Sequence, residues 1–207
     1  MARINQVLPG IYSWSEFCEE KQLNFNGYYL VRQGQSVIID PPDMDESGLQ
    51  ELQNLINDHA SVPLKGILLT NVHHERASKI FKERFSAPVY IHDNDQQGLE
   101  SACDNSFRGD EITFCELKVI SFQNQKSPGE SAFLLEQEKI LIVGDALIGK
   151  IPGKVNLLPP EKYRDIVQAK EGLQILRDID FDHLLVGDGT SIFSGAKSVV
   201  LNFLDEN

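Results

Sequence analysis

Residues 67–78 read ILLTNVHHERAS, and this stretch decides how the rest of the chain is interpreted. A short apolar run from Ile67 to Leu69 stops at a polar cluster, and a helical pattern of apolar residues follows from Ala77. The polar cluster is therefore predicted to lie at the carboxyl end of a buried strand. In open α/β folds, ligands and catalytic groups collect at such strand ends, because the strand fixes the backbone while the turn keeps side chains accessible.

Alternation of strand and helix patterns extends from this stretch along the whole chain. Strands are predicted over 7–14, 25–32, 37–40, 65–70, 87–92, 117–122, 131–136, 139–143 and 182–186. Helices are predicted over 46–58, from 77 onward, over 93–102 as a weak pattern, over 160–179 and over 195–204, with a loop over 103–110. Strand, helix, strand order in the first half implies parallel βαβ units.

Length and composition limit the classes of protein to which the chain can belong. Its 207 residues fit one domain, residues 1–207, that is large enough to bury a core. A net charge of −12 argues against nucleic acid or an anionic membrane surface as a partner. The three cysteines show no CxxC spacing, so neither a disulfide framework nor a zinc knuckle is indicated. With no apolar run of membrane-spanning length, a soluble cytoplasmic protein without membrane association is expected.

Four further motifs accompany the central stretch in a fixed order. Residues 36–40 read SVIID, 108–112 read RGDEI, 126–129 read KSPG and 141–145 read LIVGD. Together with a Leu-Thr strand end before a histidine-containing turn, this order resembles the metallo-β-lactamase superfamily over about residues 7–203. The resemblance implies an α/β fold of four layers, an αβ/βα sandwich in which helices flank two mixed β-sheets. It also implies hydrolysis at a two-metal site.

The resemblance maps the metal-ligand positions of the family onto residues of mostly different type. The His-x-His-x-Asp-His motif of the family corresponds to Asn71, His73, Glu75 and Arg76, its third histidine to Lys126, its bridging aspartate to Asp145 and its last histidine to Asp188. His73 and Asp145 keep the family's residue type. Protonated lysine and arginine offer hydrogen-bond donors alone and cannot coordinate a metal.

The preferred interpretation is that fixed cations replace the metal ions. Arg76 and Lys126 are expected to pair with Asp145, Asp188 and also Glu75, because converging carboxylates otherwise repel one another or take up protons. The pocket would then bind a small molecule, preferably an anion, without a cofactor. The candidate catalytic residues are Asp145, His73 and Lys126, and the candidate pocket-binding residues are Asn71, Glu75, Arg76 and Asp188.

Two alternatives to charge replacement stay open. One is a hydrolase of an ester, thioester, lactone or phosphoester that uses a single Zn, Mn or Fe ion on His73, Asp145 and Asp188. The other is a non-catalytic scaffold or partner-binding module.

Two side chains near the site carry structural expectations. Adjacent histidines in an extended turn point to opposite sides, and the register favours His73 as the one that enters the site. His74 is then expected to cap the following helix or to bind a backbone carbonyl. Asp40, at a strand end before two prolines, is expected to accept backbone hydrogen bonds at the turn, in preference to a role in supporting the site residues.

Overall fold

Two mixed β-sheets form the centre of the structure, a computed structural model that describes residues 3–101 and 103–206. Within these residues the larger sheet contains seven strands in chain order: β1 (Asn5–Leu8), β2 (Ile11–Cys18), β3 (Leu23–Arg32), β4 (Gln35–Ile39), β5 (Leu64–Leu68), β6 (Val89–His92) and β7 (Asn105–Phe107). Neighbours from β1 to β4 are antiparallel, and neighbours from β4 to β7 are parallel.

The smaller sheet, over the same described residues, contains β8 (Lys118–Ser121), β9 (Ser131–Leu135), β10 (Ile140–Val143) and β11 (His183–Val186). Its spatial order is β11-β10-β9-β8, with β10 and β11 parallel and the other neighbours antiparallel.

Helices cover the outer face of each sheet. They are α1 (Glu46–Asp58), α2 (Ser78–Phe85), α3 (Ile166–Gly172) and α4 (Ala196–Asp205). The α1 helix begins where the Asp45 carboxylate accepts a hydrogen bond from the Gly48 amide, the usual way to satisfy an unpaired amide in a first turn. Among the described residues, no helix combines the length and apolar character needed to cross a membrane.

Three apolar clusters fill the spaces between the layers. Side chains alternate along a strand, so Val37 and Ile39 of β4 pack between the sheets while Ile38 packs under α1. Phe133 of β9 belongs to the same central cluster as Val37 and Ile39, and Leu141 of β10 belongs to the cluster on the side of α4. Helix, sheet, sheet and helix thus stack in that order. The predicted αβ/βα sandwich is confirmed.

Strand direction brings the polar segments together at one edge of the sandwich. Asp40 follows β4, the segment that contains His74 follows β5, Asp145 follows β10 and Asp188 follows β11. Because β4 is parallel to β5 and β10 to β11, these carboxyl ends lie side by side. Lys126 precedes β9, which is antiparallel to β10, so it reaches the same edge.

The helix predicted over 160–179 is wrong. The structure has a 3-10 turn at Pro160–Lys162, then α3, then a second 3-10 turn at Gln174–Arg177. The Asp165 carboxylate accepts hydrogen bonds from the amides of Val167 and Gln168 and so starts a new helix. Gly172 ends that helix against another loop, where a Cβ atom would lie 2.0 Å from the Gln123 carbonyl oxygen.

Three other segments differ from their predictions. The strand predicted over 7–14 is two strands, β1 and β2, because a tight turn with Gly10 at a φ of 71° separates them. The loop predicted over 103–110 contains β7, whose Phe107 is buried. Of the helix predicted over 93–102, the described part is a 3-10 turn, Asp93–Gly98, and Ala102 lies outside the described residues.

Candidate functional site

His74 occupies the centre of a buried polar cluster at the shared strand-end edge. Its imidazole is 1% exposed, and Nδ1 lies 2.7 Å from Oδ2 of Asp40 and 3.1 Å from Oγ1 of Thr70. The Asp40 carboxylate also accepts hydrogen bonds from the amide and hydroxyl of Thr70, at 2.8 and 2.6 Å. Asp40 therefore orients the His74 ring. The expectation that it serves its own turn was wrong.

The choice of His73 over His74 is also corrected by the structure. The segment is a 3-10 turn, Val72–His74, and not an extended turn. Asn71 caps it by accepting a hydrogen bond from the His73 amide at 2.8 Å. This winding turns His74 into the cluster and His73 outward to the cleft, so His74 neither caps a helix nor binds a backbone carbonyl.

Two buried carboxylates face the other nitrogen of His74. Nε2 lies 3.5 Å from Oδ1 of Asp145 and 3.9 Å from Oδ1 of Asp188. Both aspartates are buried, and each follows the last residues of an apolar strand. The ring thus connects three carboxylates, because Asp40 occupies its opposite side.

Each of the two inner carboxylates has a cationic partner, as the sequence predicted. Nζ of Lys126 donates to Oδ2 of Asp145 at 2.7 Å. Nη2 of Arg76 donates to Oδ1 of Asp188 and lies 3.1 Å from Nε2 of His74. The guanidinium also lies over the Phe25 ring, 4.5 Å from its centroid, which holds it in place by a cation–π contact.

The cluster of His74, Arg76, Lys126, Asp40, Asp145 and Asp188 is electrically balanced. Burial and Arg76 act to lower the pKa of His74, but Asp40 and Asp145 outweigh them and raise it to about 10. Burial acts to raise the pKa of Asp145, but His74 and Lys126 hold it well below its usual range. Three cations, His74, Arg76 and Lys126, therefore face three carboxylates at neutral pH.

Glu130 lies behind this cluster and was missed by the sequence analysis. It is fully buried, and its Oε1 accepts the Ala146 amide at 3.0 Å. Burial, reinforced by the nearby Asp145 carboxylate, raises its pKa well above the usual range and so favours its neutral form. Its position directly after the KSPG motif was the available signal, since residues that follow that turn enter the site edge.

No cation among the residues that the structure describes pairs with Glu75, which corrects the predicted contact. Its carboxylate accepts hydrogen bonds from the Glu100 and Ser101 amides at 2.8 Å each, and from the Ser101 hydroxyl. Two backbone amides aimed at one carboxylate satisfy it more completely than the distant cations could. Glu75 therefore anchors the 100–101 segment along the cleft.

His73 lies at the cleft wall with its side chain accessible to solvent. Partial burial and the neighbouring Lys126 lower its pKa. His73 is therefore a neutral imidazole at physiological pH, able to accept or donate one hydrogen bond.

Asp95 connects the two segments that carry the cations, and the sequence analysis missed it. Its buried carboxylate accepts hydrogen bonds from the Val72 amide at 2.9 Å, the Gly129 amide at 2.8 Å and the Ser127 hydroxyl. The turn after β5 and the turn that carries Lys126 are thereby held in one arrangement. Because Asp95 lies 23 residues from Val72 and 32 from Ser127, the local sequence gave no signal of this role.

We expect Asp95→Ala to lower the unfolding free energy by about 3 kcal/mol or more, because each of three buried donors left unpaired costs about 1–3 kcal/mol. Urea denaturation measures the loss. Asp93→Ala is the matched control, since Asp93 pairs with Arg108 at the surface, and it should have a much smaller effect. Equal losses in the two variants would contradict the role assigned to Asp95.

The pKa of His74 predicts a specific pH dependence. Because folding raises this pKa from 6.5 to about 10, the stabilisation is fully present below pH 6.5 and is lost as the pH rises through 10. The difference in unfolding free energy between the parent and His74→Gln should therefore shrink over that interval. An NMR titration of the parent would measure the His74 pKa directly, and a value near 6.5 would contradict the prediction.

A cleft of about 880 Å³ opens over the cationic side of the cluster. Its lining includes Arg76 and Lys126 from the cluster, His73 and Glu75 from the turn, and the exposed Lys21 and Lys79. A volume of this size is typical of small-molecule sites.

The fold and the strand-end cluster define a class of protein that the comparisons identify. The family model described as the Metallo-beta-lactamase superfamily matches residues 4–205, and the chain belongs to that superfamily. The probable metallo-hydrolase YqgX of Bacillus subtilis strain 168 is 26% identical over 203 residues, which cover 88% of this chain and 90% of the relative.

Solved structures agree on the fold. A metallo-β-lactamase from Pontibacter korlensis superposes with a TM-score of 0.78 at 16% identity and covers 100% of both chains. The metallo-β-lactamase FIM-1 from Pseudomonas aeruginosa, in its mono-zinc form, superposes with a TM-score of 0.74 at 11% identity, over 99% of this chain and 95% of the other.

The family's two-metal ligand set does not fit the residues present. Among the described residues, the group able to hold an ion is His74, Asp145 and Asp188, whose ligand atoms lie within 4.8 Å of one another. Lys126 and Arg76 already occupy oxygens of Asp145 and Asp188. In this structure the ligand oxygens of Asp145 and Asp188 are thus paired with side-chain cations.

Proposed function

We propose that this chain is a metal-free member of the superfamily that binds a small anion, with Arg76 and Lys126 in place of metal charge. The observation that carries the proposal is the pair of contacts from Lys126 to Asp145 and from Arg76 to Asp188. The sequence resemblance matches these aspartates to the family's bridging aspartate and last histidine. On that match, side-chain cations take the place of the family's metal ions.

The energy of the cluster supports this reading. Buried carboxylates need compensating positive charge, and a hydrogen-bonded side-chain cation supplies it without a metal ion from solution. A divalent ion added to the balanced cluster would leave an excess of two positive charges in a site shielded from water. Admitting the ion requires Arg76 and Lys126 to move away first.

The charge around the cleft favours an anion as the ligand. Although the chain has a net charge of −12, six of its 19 Lys and Arg residues line the cleft or the groove that adjoins it. They are Lys21, Arg76, Lys79, Lys126, Lys150 and Lys162. Four acidic residues share these linings: Glu75 is held by backbone amides, Asp188 by Arg76, and Glu20 and Glu100 are exposed, so cations outnumber carboxylates by six to four. Arginine and lysine donors make strong, charge-assisted hydrogen bonds to anionic oxygens.

The candidate catalytic residues have different roles under this proposal. Both oxygens of Asp145 are engaged, one by Lys126 and one facing His74, so Asp145 organises the site and does not act as a free base. Lys126 holds the anion through its remaining N–H donors. His73, neutral and accessible, is the side chain able to exchange a proton with a bound ligand.

Binding of inorganic phosphate tests the proposal. We expect the parent to bind it in calorimetric titration, and Lys126→Met to bind about 10- to 100-fold more weakly, because a hydrogen bond to a charged group contributes about 1.5–3 kcal/mol. Lys21→Met, which removes an exposed cation of the same cleft, should also weaken binding, and it leaves the ion pairs of Lys126 and Arg76 in place. Lys139→Met, paired with Asp180 on the far side of the hairpin, is the matched control. Unchanged binding in both cleft variants would contradict the proposal.

A second candidate function is a hydrolase of an ester, thioester, lactone or phosphoester with one metal ion. The proximity of ligand atoms on His74, Asp145 and Asp188 favours it. It requires the cations to leave these atoms, so metal content distinguishes the two candidates.

A further inference from the structure

We propose that the bound anion carries an apolar tail, which lies in a groove beside the cleft. The proposal rests on the proposed function, because the charged head group is the anion held by Lys126. The groove has a volume of about 600 Å³ and shares Lys21 and Lys126 with the cleft. One ligand can therefore touch both cavities at once.

The groove combines an apolar floor with a lysine rim. Its apolar lining consists of Leu23, Ile148, Leu157, Leu158, Pro159 and Pro160. Lys150 and Lys162 join the two shared lysines along its margin. An inorganic anion would use the lysines and leave the apolar lining in water, whereas an amphipathic anion satisfies both surfaces.

Two of the leucines have no role in the core of the protein. Leu23 and Leu158 are half-buried, yet neither belongs to the three apolar clusters that fill the sandwich. Their exposed surface contributes to the groove. Isolated surface leucines are common, but two that converge on one concave site beside fixed cations match the usual composition of a ligand pocket.

The wall that contains Leu158 is held in shape before any ligand binds. The Leu158 amide donates a hydrogen bond to the Tyr163 hydroxyl at 3.0 Å, and Pro159 and Pro160 restrict the backbone directly after it. Ile148 beneath is 4% exposed and fixed by backbone hydrogen bonds to Asn156. A preformed groove loses little conformational freedom when a tail enters.

A series of alkyl phosphates tests the tail. Calorimetric titration of inorganic, ethyl, butyl and hexyl phosphate should show affinity rising by up to about fourfold for each buried methylene. The heat capacity change should become more negative along the series. Heptanoate, which has a carboxylate in place of the phosphate, shows which head group the lysines prefer. Affinity that depends on the alkyl tail, for phosphates or for carboxylates, supports the proposal.

Leu23→Asn and Leu158→Asn should flatten the dependence on chain length while inorganic phosphate binds as before. Ile151→Asn is the matched control, because Ile151 is an exposed apolar residue near the same loop that is outside both linings. If hexyl phosphate binds no more tightly than inorganic phosphate, the proposal of an apolar tail is wrong. If phosphate binding still depends on Lys126 in that case, the proposed function is unaffected. A chain-length effect that persists unchanged in both leucine variants would also overturn the assignment to this groove.

Discussion

The Asp145→Asn variant is expected to lose about 3–5 kcal/mol of unfolding free energy, because removing one partner of a buried ion pair leaves its cations uncompensated. Lys126 Nζ lies 2.7 Å from Asp145, and Nε2 of His74 lies 3.5 Å from it. Both would face an uncharged amide in a cluster shielded from water. Urea denaturation at neutral pH, where the carboxylate is ionised, measures the loss.

A double-mutant cycle separates this contact from general damage to the fold. Asp145→Asn combined with Lys126→Met should cost less than the two single changes add up to, with a coupling energy of about 0.5–3 kcal/mol. The exposed pair Lys139 and Asp180 is the matched control, and its two changes should be additive because solvent screens the charges. Strict additivity at Lys126 and Asp145 would show that the cation does not compensate the carboxylate.

Removing the two cations together should create zinc affinity that the parent lacks. In Arg76→Asn with Lys126→Met, the oxygens of Asp145 and Asp188 are released, and a metal that also binds His74 must displace its proton. Asparagine suits position 76, where φ is 38°, because it tolerates the left-handed region better than most residues. A unit charge about 4 Å from a divalent ion contributes about 8 kcal/mol at an effective dielectric constant of 20, and the partial solvent exposure of the two cations reduces this value. Zinc should therefore bind at least about a thousandfold more tightly for each cation removed.

Lys21→Met with Lys79→Met is the control for this gain. It also removes two cations from the cleft, yet it leaves the contacts of Arg76 and Lys126 in place. We expect little change in zinc affinity there. If this control gains as much zinc affinity as the variant that lacks Arg76 and Lys126, the effect comes from the overall positive charge of the cleft. That result would contradict the claim that Arg76 and Lys126 block the metal ligands.

Most of the fold could be predicted because its causes are local. The α1 helix occupies the predicted residues, since an acidic cap and apolar spacing coincide there. The segment over 160–179 shows the limit of predicting one continuous helix from the periodic spacing of apolar residues. Its Leu173 and Leu176 are buried as that spacing suggests, but the cap at Asp165 and the close approach at Gly172 divide it. A competing cap is visible in the sequence, whereas the contact that requires Gly172 depends on a distant loop.

The candidate site was predicted as a set of residues more accurately than as a set of contacts. The order of motifs placed Arg76, Lys126, Asp145 and Asp188 together, because parallel strands bring their carboxyl ends to one edge. The choice between two adjacent histidines depended on the winding of one short turn, which the Asn71 cap determines. The hydrogen-bond partners of Glu75 are amides about 25 residues away, and no sequence pattern predicts such a contact.

The metal content of the purified protein tests the replacement of metal ions by Arg76 and Lys126 most directly. The chain should be purified without chelators, dialysed against metal-free buffer and analysed for zinc, manganese and iron per polypeptide. We expect far less than one equivalent of any metal, because the oxygens of Asp145 and Asp188 are already occupied by Lys126 and Arg76. Retention of close to one tightly held ion per chain would contradict charge replacement and support the single-metal hydrolase.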